Sequence, residues 1–235
     1  MSTDRPDTTE SAYTVPAGMF QVEMSFFDLE RDANRGVSTE VLSWGQINIK
    51  AGLAPDMDLQ LVFDAHQEVR EKSGGQTRTA SGFGDVTLRL KNNLWGNDSG
   101  RSAFALMPYV TVPTGAVLSA DAWQGGLIAP FAYELSENLA FGLMGEADLV
   151  HDEETGGTDL QFLASATLGM GLTDELGMFV ELAGVAGEDV PFMATFNSGL
   201  TFAVTETLVF DVGVRVGLNR PAPDLSVFSG VSFRF

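Results

Sequence analysis

Apolar and polar residues alternate along most of this chain. Near the C-terminus, Phe210, Val212 and Val214 share one face of an extended chain, while Asp211 and Arg215 lie on the other. A period of two held over this length predicts β-strands. About twelve such segments, each of about 10 residues, follow one another from residue 17 onward, a length that suits tilted strands crossing a bilayer.

Four residues disturb this pattern. Phe228 and Ser229 break the alternation of the last segment, which otherwise places apolar residues on one side up to Phe235. Pro108 and Pro130 fall inside predicted strands, where each lacks a donor for the hydrogen-bond ladder. We therefore expect local bulges or strand ends at the two prolines.

The connections between the segments also alternate, in length. Short turns recur near residues 54–57, 96–100, 136–138, 173–175 and 205–207. Longer polar loops are expected at about residues 28–39, 65–81, 113–122, 151–158, 185–191 and 218–224. Short turns at one end and long loops at the other are typical of outer-membrane barrels, with both termini on the periplasmic side when the strand number is even.

Alternation alone does not say which face is buried, since a soluble sandwich alternates as well. The polar faces are rich in Gly, Ser, Thr, Asn and Gln, and about twelve strands suit a closed barrel better than a sandwich. Aromatic residues also gather near predicted strand ends, as in interfacial girdles. They are Phe20, Tyr133, Phe141, Phe202, Phe210, Phe233 and Phe235 at the short-turn end and Trp123 at the other. We predict an all-β, closed antiparallel transmembrane barrel with short periplasmic turns and longer extracellular loops.

The first sixteen residues are polar and lack periodicity, which predicts a flexible N-terminal tail over residues 1–16 followed by a barrel over residues 17–235. No signal peptide is visible, so we interpret the sequence as a mature form. No apolar run approaches about 18 residues, which argues against a transmembrane helix. The formal net charge of −19 argues against a nucleic-acid partner, and with no cysteine there is no disulfide or thiolate chemistry.

One stretch resembles a known family. The matched pieces are Gly82-Phe83-Gly84-Asp85, the following Arg89 and Lys91, and Pro113-Thr114-Gly115. They resemble the outer-membrane transporter family named for the meta-pathway of phenol degradation. The terminal Phe235 likewise resembles the assembly signal of bacterial outer-membrane barrels. The resemblance implies a passive channel for small, hydrophobic or aromatic molecules. It assigns no catalytic residues to this chain.

Other chemistry has weaker support. Gly82 and Gly84 lack the preceding strand, third glycine and following helix of a dinucleotide fingerprint. His66 and His151 are expected in solvated loops, although His151 beside Asp152 offers a candidate cation ligand. A membrane-embedded lipid hydrolase would need an activated Ser near a His, and no such spacing stands out. We expect no catalysis, no cofactor and no metal.

Charged residues on the polar strand faces are the main candidates for function. On the lipid face an Arg or Lys would cost about 2–4 kcal/mol at the bilayer midplane, so we place these residues in the lumen. They are Glu23, Lys50, Asp64, Asp85, Arg89, Lys91, Glu146, Asp148, Glu181, Asp211, Arg215 and Arg234. They can line a selective passage or pair with one another in a structural barrel with a plugged lumen, and both alternatives stay open.

The expected partners follow from a bacterial outer-membrane location. They are membrane lipid, a small-molecule solute and the barrel assembly machinery, which would recognise Phe235. The acidic loop residues Asp152, Glu153 and Glu154, and the pair Glu188 and Asp189, could bridge to lipopolysaccharide through divalent ions.

Overall fold

A computed structural model of the chain describes residues 1–34, 36–98, 100–152, 155–188 and 190–235. Within these ranges the chain forms thirteen antiparallel strands. They are β1 (Phe20–Asn34), β2 (Val37–Ala54), β3 (Met57–Ser73), β4 (Gln76–Gly82), β5 (Val86–Trp95), β6 (Ser102–Val112), β7 (Gln124–Ser136), β8 (Leu139–His151), β9 (Thr158–Gly171), β10 (Leu176–Gly187), β11 (Met193–Thr205), β12 (Leu208–Gly217) and β13 (Leu225–Arg234). No described segment is a helix of the length and apolar character that crossing a membrane requires.

The sheet closes into a ring. Apart from β4 and β5, which do not pair with each other, strands adjacent in sequence pair; β1 pairs with β13, and β3 pairs with both β4 and β5. On β3, Gln67 pairs with Gly82 of β4 and Phe63 pairs with Val86 of β5. Three residues separate these two pairs on β3, and three separate them in the break between β4 and β5, so the pairing register is the same before and after the break. Strands β4 and β5 therefore occupy one position of a barrel with twelve strand positions, as predicted.

The two faces of the strands follow the predicted parity. Large apolar side chains such as Leu143, Phe162 and Val212 are exposed, while the intervening Asp148 and Asp211 are buried. This is the reverse of a soluble barrel and leaves an apolar exterior suited to lipid. Aromatic rings pack together near the short turns: Phe235 stacks on Phe20 at 6.0 Å between ring centroids.

Two expected loops are strand hairpins instead. The β1–β2 ladder continues from Asp28, opposite Ser43, to Asn34, opposite Val37. The β3–β4 ladder covers residues 67–82 in the same way. The sequence favours long loops for both stretches because their residues are mainly polar. That composition is compatible with a hairpin that continues past the apolar belt, where both faces meet water.

The two prolines are accommodated without a bulge. Between β5 and β6, pairing stops at Arg89–Tyr109 and resumes at Asn92–Leu106 in the same register, so Pro108 lies in a gap of the ladder. Between β6 and β7 a similar gap contains Pro130. Each missing donor is thus tolerated where one ladder is interrupted, and the other ladder of the same strand continues.

Phe228 departs from the pattern in its residue type, but it lies on the face of β13 that the alternation predicts. Parity places Phe228 on the interior face of β13, where it is 3% exposed, between the interior residues Ser226 and Gly230. A Cβ on Gly213 of the neighbouring strand would lie 2.6 Å from Cε2 of the Phe228 ring, so the glycine leaves the space that the ring fills. The ring also lies under the Arg215 guanidinium, 5.2 Å from ring centroid to Cζ.

Candidate functional site

Residues 1–16, hereafter the interior segment, lie inside the barrel. Side chains and amides of this segment bind residues of β1, β2, β5, β9, β10 and β12, strands that stand around the whole ring and can be reached together only from within. The segment folds back on itself, since the Asp4 carboxylate accepts a hydrogen bond from the Ser11 amide at 2.9 Å. This position inside the barrel does not follow from the sequence pattern, and the division into a tail and a barrel remains a proposal.

The strongest anchor of the interior segment is a buried cluster around Asp4. Its carboxylate pairs with Lys91 Nζ at 2.6 Å and with Lys50 Nζ, which also pairs with Glu23. The backbone amides of Asp4 and Arg5 donate to the Glu23 carboxylate at 3.0–3.1 Å. Burial alone would raise the pKa of Asp4, but the ammonium groups of Lys50 and Lys91 hold it below its ordinary value.

A second anchor joins Arg5 to β12. The Arg5 guanidinium donates to both carboxylate oxygens of Asp211, at 2.7 and 3.1 Å, and to Ser25 Oγ at 2.6 Å. This two-pronged geometry is the strong form of an arginine–carboxylate pair. Further along, Arg89 donates to Glu10 at 2.6 Å. Thus Asp4, Arg5 and Glu10 of the interior segment are each matched by a wall charge of opposite sign.

On the opposite wall of the barrel, Glu181 binds the backbone of the interior segment. Its carboxylate accepts the amide hydrogens of Thr8 and Thr9 at 2.9 and 2.8 Å, and Asn197 donates to it at 2.6 Å. Thr9 Oγ1 also lies 2.7 Å from Ser165 Oγ. The neighbouring Asp7 is close to the same carboxylate, and burial together with that negative charge raises the pKa of Asp7 to about 8.

The predicted site residues divide by what they contact. Seven of them contact the interior segment itself: Glu23, Lys50, Arg89, Lys91, Glu181, Asp211 and Arg234. Asp148 accepts a hydrogen bond from Tyr109, and Arg215 lies 3.4 Å from Asp28. Glu146 lies on the same face of β8 as Asp148, and Asp64 Oδ1 is buried without a protein partner. For all the predicted site residues, a role in selectivity remains a prediction.

Asp85 has a different environment from the other predicted residues. It lies in the break between β4 and β5, and its carboxylate accepts the amide hydrogens of Thr114 and Ala120 at 3.0 and 2.9 Å. Thr114 Oγ1 donates to the Gly84 carbonyl at 2.9 Å. The Gly82–Asp85 stretch therefore ties the β6–β7 loop to the wall, and these hydrogen bonds explain why an acid follows the glycine pair.

The two histidines and the acidic loop residues are further candidates from the sequence. His66 lies on β3 and stacks on Trp44 at 5.5 Å between ring centroids, so it is not in a loop as expected. His151 ends β8 and lies 3.1 Å from the Gly157 carbonyl. Glu153, Glu154 and Asp189 lie outside the described residues. Among the residues that the structure describes, no group of three or more His, Cys, Asp or Glu side chains could hold a metal ion.

The interior segment leaves space on both of its sides. On the long-loop side, a cavity of about 390 Å³, hereafter the outer vestibule, is lined by residues that include Val62, Arg89, Leu163 and Phe228. On the short-turn side, a cavity of about 440 Å³ lies against the small residues of β8 to β10, such as Gly142. Arg5, Pro6, Asp7 and Glu10 line both cavities, so this fold of the segment is the boundary between them.

The residues that sequence reasoning missed are mainly those of the interior segment. Asp4, Arg5 and Glu10 stand in a polar stretch without periodicity, and their partners are up to 206 positions away in the chain. One signal was available: the predicted lumen contains Lys50, Arg89 and Lys91 close together by strand register, and buried cations need acids beside them.

Comparisons with known proteins agree with this architecture. A family model described as "Putative MetA-pathway of phenol degradation" matches residues 3–235. The structure is similar to an outer membrane channel from Pseudomonas putida F1, with a TM-score of 0.72, 15% identity and coverage of 96% of this chain and 98% of that one. A search of curated proteins finds no significant match.

Two further solved structures share the fold at lower similarity. The KdgM porin has a TM-score of 0.58 and 9% identity, covering 92% of this chain and 99% of its own. The CymD monoaromatic hydrocarbon channel has a TM-score of 0.51 and 10% identity, covering 94% and 88% respectively. At these identities the likeness defines a closed outer-membrane-type barrel and nothing about solutes.

Proposed function

Because the chain belongs to the phenol-degradation family whose model spans residues 3–235, we propose that it is a passive outer-membrane channel for small molecules. The observation that carries the proposal is the lumen itself: polar and charged, enclosed by an apolar exterior, and hollow on both sides of the interior segment. Water-filled polar lumens of this kind conduct solutes down their gradients without a cofactor or a catalytic group.

The solute class comes from the relatives and from the size of the cavities. The family is named for phenol degradation, and one structural neighbour is a monoaromatic hydrocarbon channel. The outer vestibule, at about 390 Å³, lies in the range of about 300–1,000 Å³ that binds small organic molecules. We accordingly propose small hydrophobic or aromatic molecules as solutes and no enzymatic activity.

The location and the remaining partners follow from the same proposal. The apolar exterior of the barrel fits the outer membrane of a Gram-negative bacterium. Phe235, whose backbone pairs with Phe20 through hydrogen bonds of 2.8 and 2.9 Å, is proposed as the residue that the barrel assembly machinery recognises. Contact with lipopolysaccharide through the acidic long loops is proposed on charge alone.

Recordings in planar lipid bilayers test the channel proposal. Purified protein should give discrete current steps, and protein heated until its gel migration changes should give none. A folded protein without conductance would instead support a structural barrel closed by its interior segment, since that segment is bound on several walls. Release of fatty acids from the bilayer lipid would support a hydrolase.

A further inference from the structure

The first four strands continue past the apolar belt at the long-loop end, and their outward faces can be identified from the register. Glu30 of β1 lines the outer vestibule, so its register partners Val41 and Val69 also face inward. Because side chains alternate along a strand, the next residue on each strand faces outward. The first outward row is formed by Arg31, Glu40, Arg70 and Thr79, and the row above it by Ala33, Ser38, Lys72 and Thr77.

Two cations on this outward face lack an acidic partner. Arg70 and Lys72 are exposed, and neither forms an ion pair with any residue that the structure describes. Arg31, by contrast, is paired with Glu40 at 2.8 Å. Glu68 lies two residues before Arg70 on the same face of β3, but the two side chains are not joined. A guanidinium and an ammonium group are therefore left to bind an external anion.

Hydroxyl groups lie beside both cations. Thr79 of β4 is the register partner of Arg70, while Ser38 and Thr77 flank Lys72 on either side. Directly paired residues of neighbouring strands have Cβ atoms about 4.5–5.5 Å apart. Guanidinium, ammonium and hydroxyl groups all donate hydrogen bonds to phosphate oxygens. These five residues, hereafter the basic patch, have the donors of a phosphate-binding surface.

The basic patch lies directly above the apolar exterior of the barrel. Trp44, which is 41% exposed, stacks on His66 on the same outward face, and Trp is enriched where hydrocarbon meets the headgroups. Arg70 follows His66 by four residues, which is about 13 Å along the strand and about 10 Å along the membrane normal at the usual tilt. The headgroup layer is about 5–8 Å deep, and the long side chains of Arg and Lys bend toward it. The basic patch therefore reaches headgroup phosphates of the outer leaflet.

The opposite side of the long-loop rim has the reverse charge. No Lys or Arg occurs between Arg101 and Arg215, and the loops after β8 and β10 contain Asp152 and Glu188. Anionic headgroups are repelled by such a surface and attracted to cations near the membrane. The charge distribution around the barrel thus directs an anionic lipid to the outward face of β2, β3 and β4.

We propose that the basic patch binds the phosphate groups of lipid A, the membrane anchor of lipopolysaccharide. Arg70 and Lys72 pair with the phosphate oxygens, and the neighbouring hydroxyl groups donate further hydrogen bonds. This contact needs no divalent ion, which distinguishes it from a contact through the acidic long loops. The inference goes beyond the channel function, since it rests on the outer-membrane location and not on conduction.

Native mass spectrometry of the detergent-solubilised full chain measures this binding directly. The probe is purified lipid A with both phosphates, compared with lipid A from which the phosphates have been removed. We expect saturable binding of the phosphorylated form and at least about tenfold weaker binding of the other. Arg70→Gln combined with Lys72→Gln should weaken binding of the phosphorylated form at least about tenfold. Chelation of divalent ions by EDTA should leave binding to the parent chain unchanged.

A matched double variant separates the basic patch from a general loss of charge. Arg78→Gln combined with Arg220→Gln removes two cations at the same end of the barrel, one from the inward face of β4 and one from the β12–β13 loop. This variant should bind lipid A within about twofold of the parent chain. Heat-modifiable gel migration should show both double variants folded.

Three results would overturn the basic patch. They are equal binding of the two lipid forms, equal losses in the two double variants, and loss of binding to the parent chain in EDTA. The last result would assign the contact to the acidic loops and bridging divalent ions. Since none of these measurements depends on ion current, the channel proposal is judged separately by conductance.

Discussion

Removing the charge of Asp4 should release the interior segment. In the change Asp4→Asn, Lys91 loses the carboxylate 2.6 Å from its ammonium, and Lys50 keeps only Glu23. The two lysine side chains are 1% and 3% exposed, so neither can recover its hydration while the segment stays in place. Stranding one partner of a buried ion pair typically costs about 3–5 kcal/mol.

This loss of free energy can be converted into a change in the ratio of released to seated interior segment. Because Glu23 still neutralises Lys50, we take the lower end, about 3 kcal/mol, as the loss in the free energy that seats the segment. With about 1.4 kcal/mol for each factor of ten, the ratio of released to seated segment should rise on the order of 100-fold. The equivalent substitution at an exposed pair, Glu40→Gln beside Arg31, should change the ratio less than about fivefold.

Thiol labelling measures this ratio directly, since the chain has no cysteine of its own. Ala12, which is 1% exposed, is replaced by cysteine as the single reporter, and the rate of its reaction with a bulky maleimide is followed. The rate should rise about 100-fold in Asp4→Asn and remain nearly unchanged in Glu40→Gln. Equal labelling rates in Asp4→Asn and in the parent, with the barrel folded in both, would refute the assigned role of the Asp4 cluster.

Three further outcomes are expected from separate parts of the structure. Burial, and then the negative charges of Glu181 and Glu10, raise the pKa of Asp7 from 3.8 to about 8, so the seated segment binds more protons than the released one. Seating should therefore weaken as pH rises from about 4 to 8 and then level off, and this part of the pH dependence of thiol labelling at position 12 should disappear in Asp7→Asn. A Cβ at Gly213 would lie 2.6 Å from Cε2 of the Phe228 ring, whereas a Cβ at Gly169 would meet nothing within 4 Å. Gly213→Ala should therefore destabilise the barrel in urea by about 1–3 kcal/mol, and Gly169→Ala should not. Equal urea midpoints of unfolding for the two variants would contradict this packing. Asp85→Ala removes the acceptor of the Thr114 and Ala120 amides, so proteolysis within residues 113–123 should accelerate. Val117→Ala, at an exposed position of the same loop, serves as the control, and similar rates in both variants would argue against a tie through Asp85.

Period-two alternation predicted the strands well because burial in a barrel wall depends on local parity. It placed Asp211 inside and Val212 outside without knowledge of their neighbours. Even at Phe228 the parity held, and only the residue type misled, because the adjacent Gly213 gives an interior ring its space. Composition was the weaker guide: the mainly polar residues of 28–34 indicated a loop, although backbone pairing continues there.

The contents of the lumen could not be predicted in the same way. The interior segment has no regular secondary structure, so its conformation follows from particular pairings such as Arg5 with Asp211, which no local pattern encodes. Parity selected the wall charges Lys50, Lys91 and Glu181 as candidates, but their partners Asp4, Thr8 and Thr9 come from the stretch that was assigned to a flexible tail.

Conductance with and without the interior segment tests the central claim most directly. The full chain and a chain lacking residues 1–11 are compared in planar bilayers under one salt condition, after both have shown heat-modifiable migration. We predict discrete openings of the full chain and a severalfold larger single-channel conductance of the shortened one, because the boundary between the two cavities is removed. Equal conductance of the two chains, or none from either folded barrel, would contradict a passage constricted by the segment.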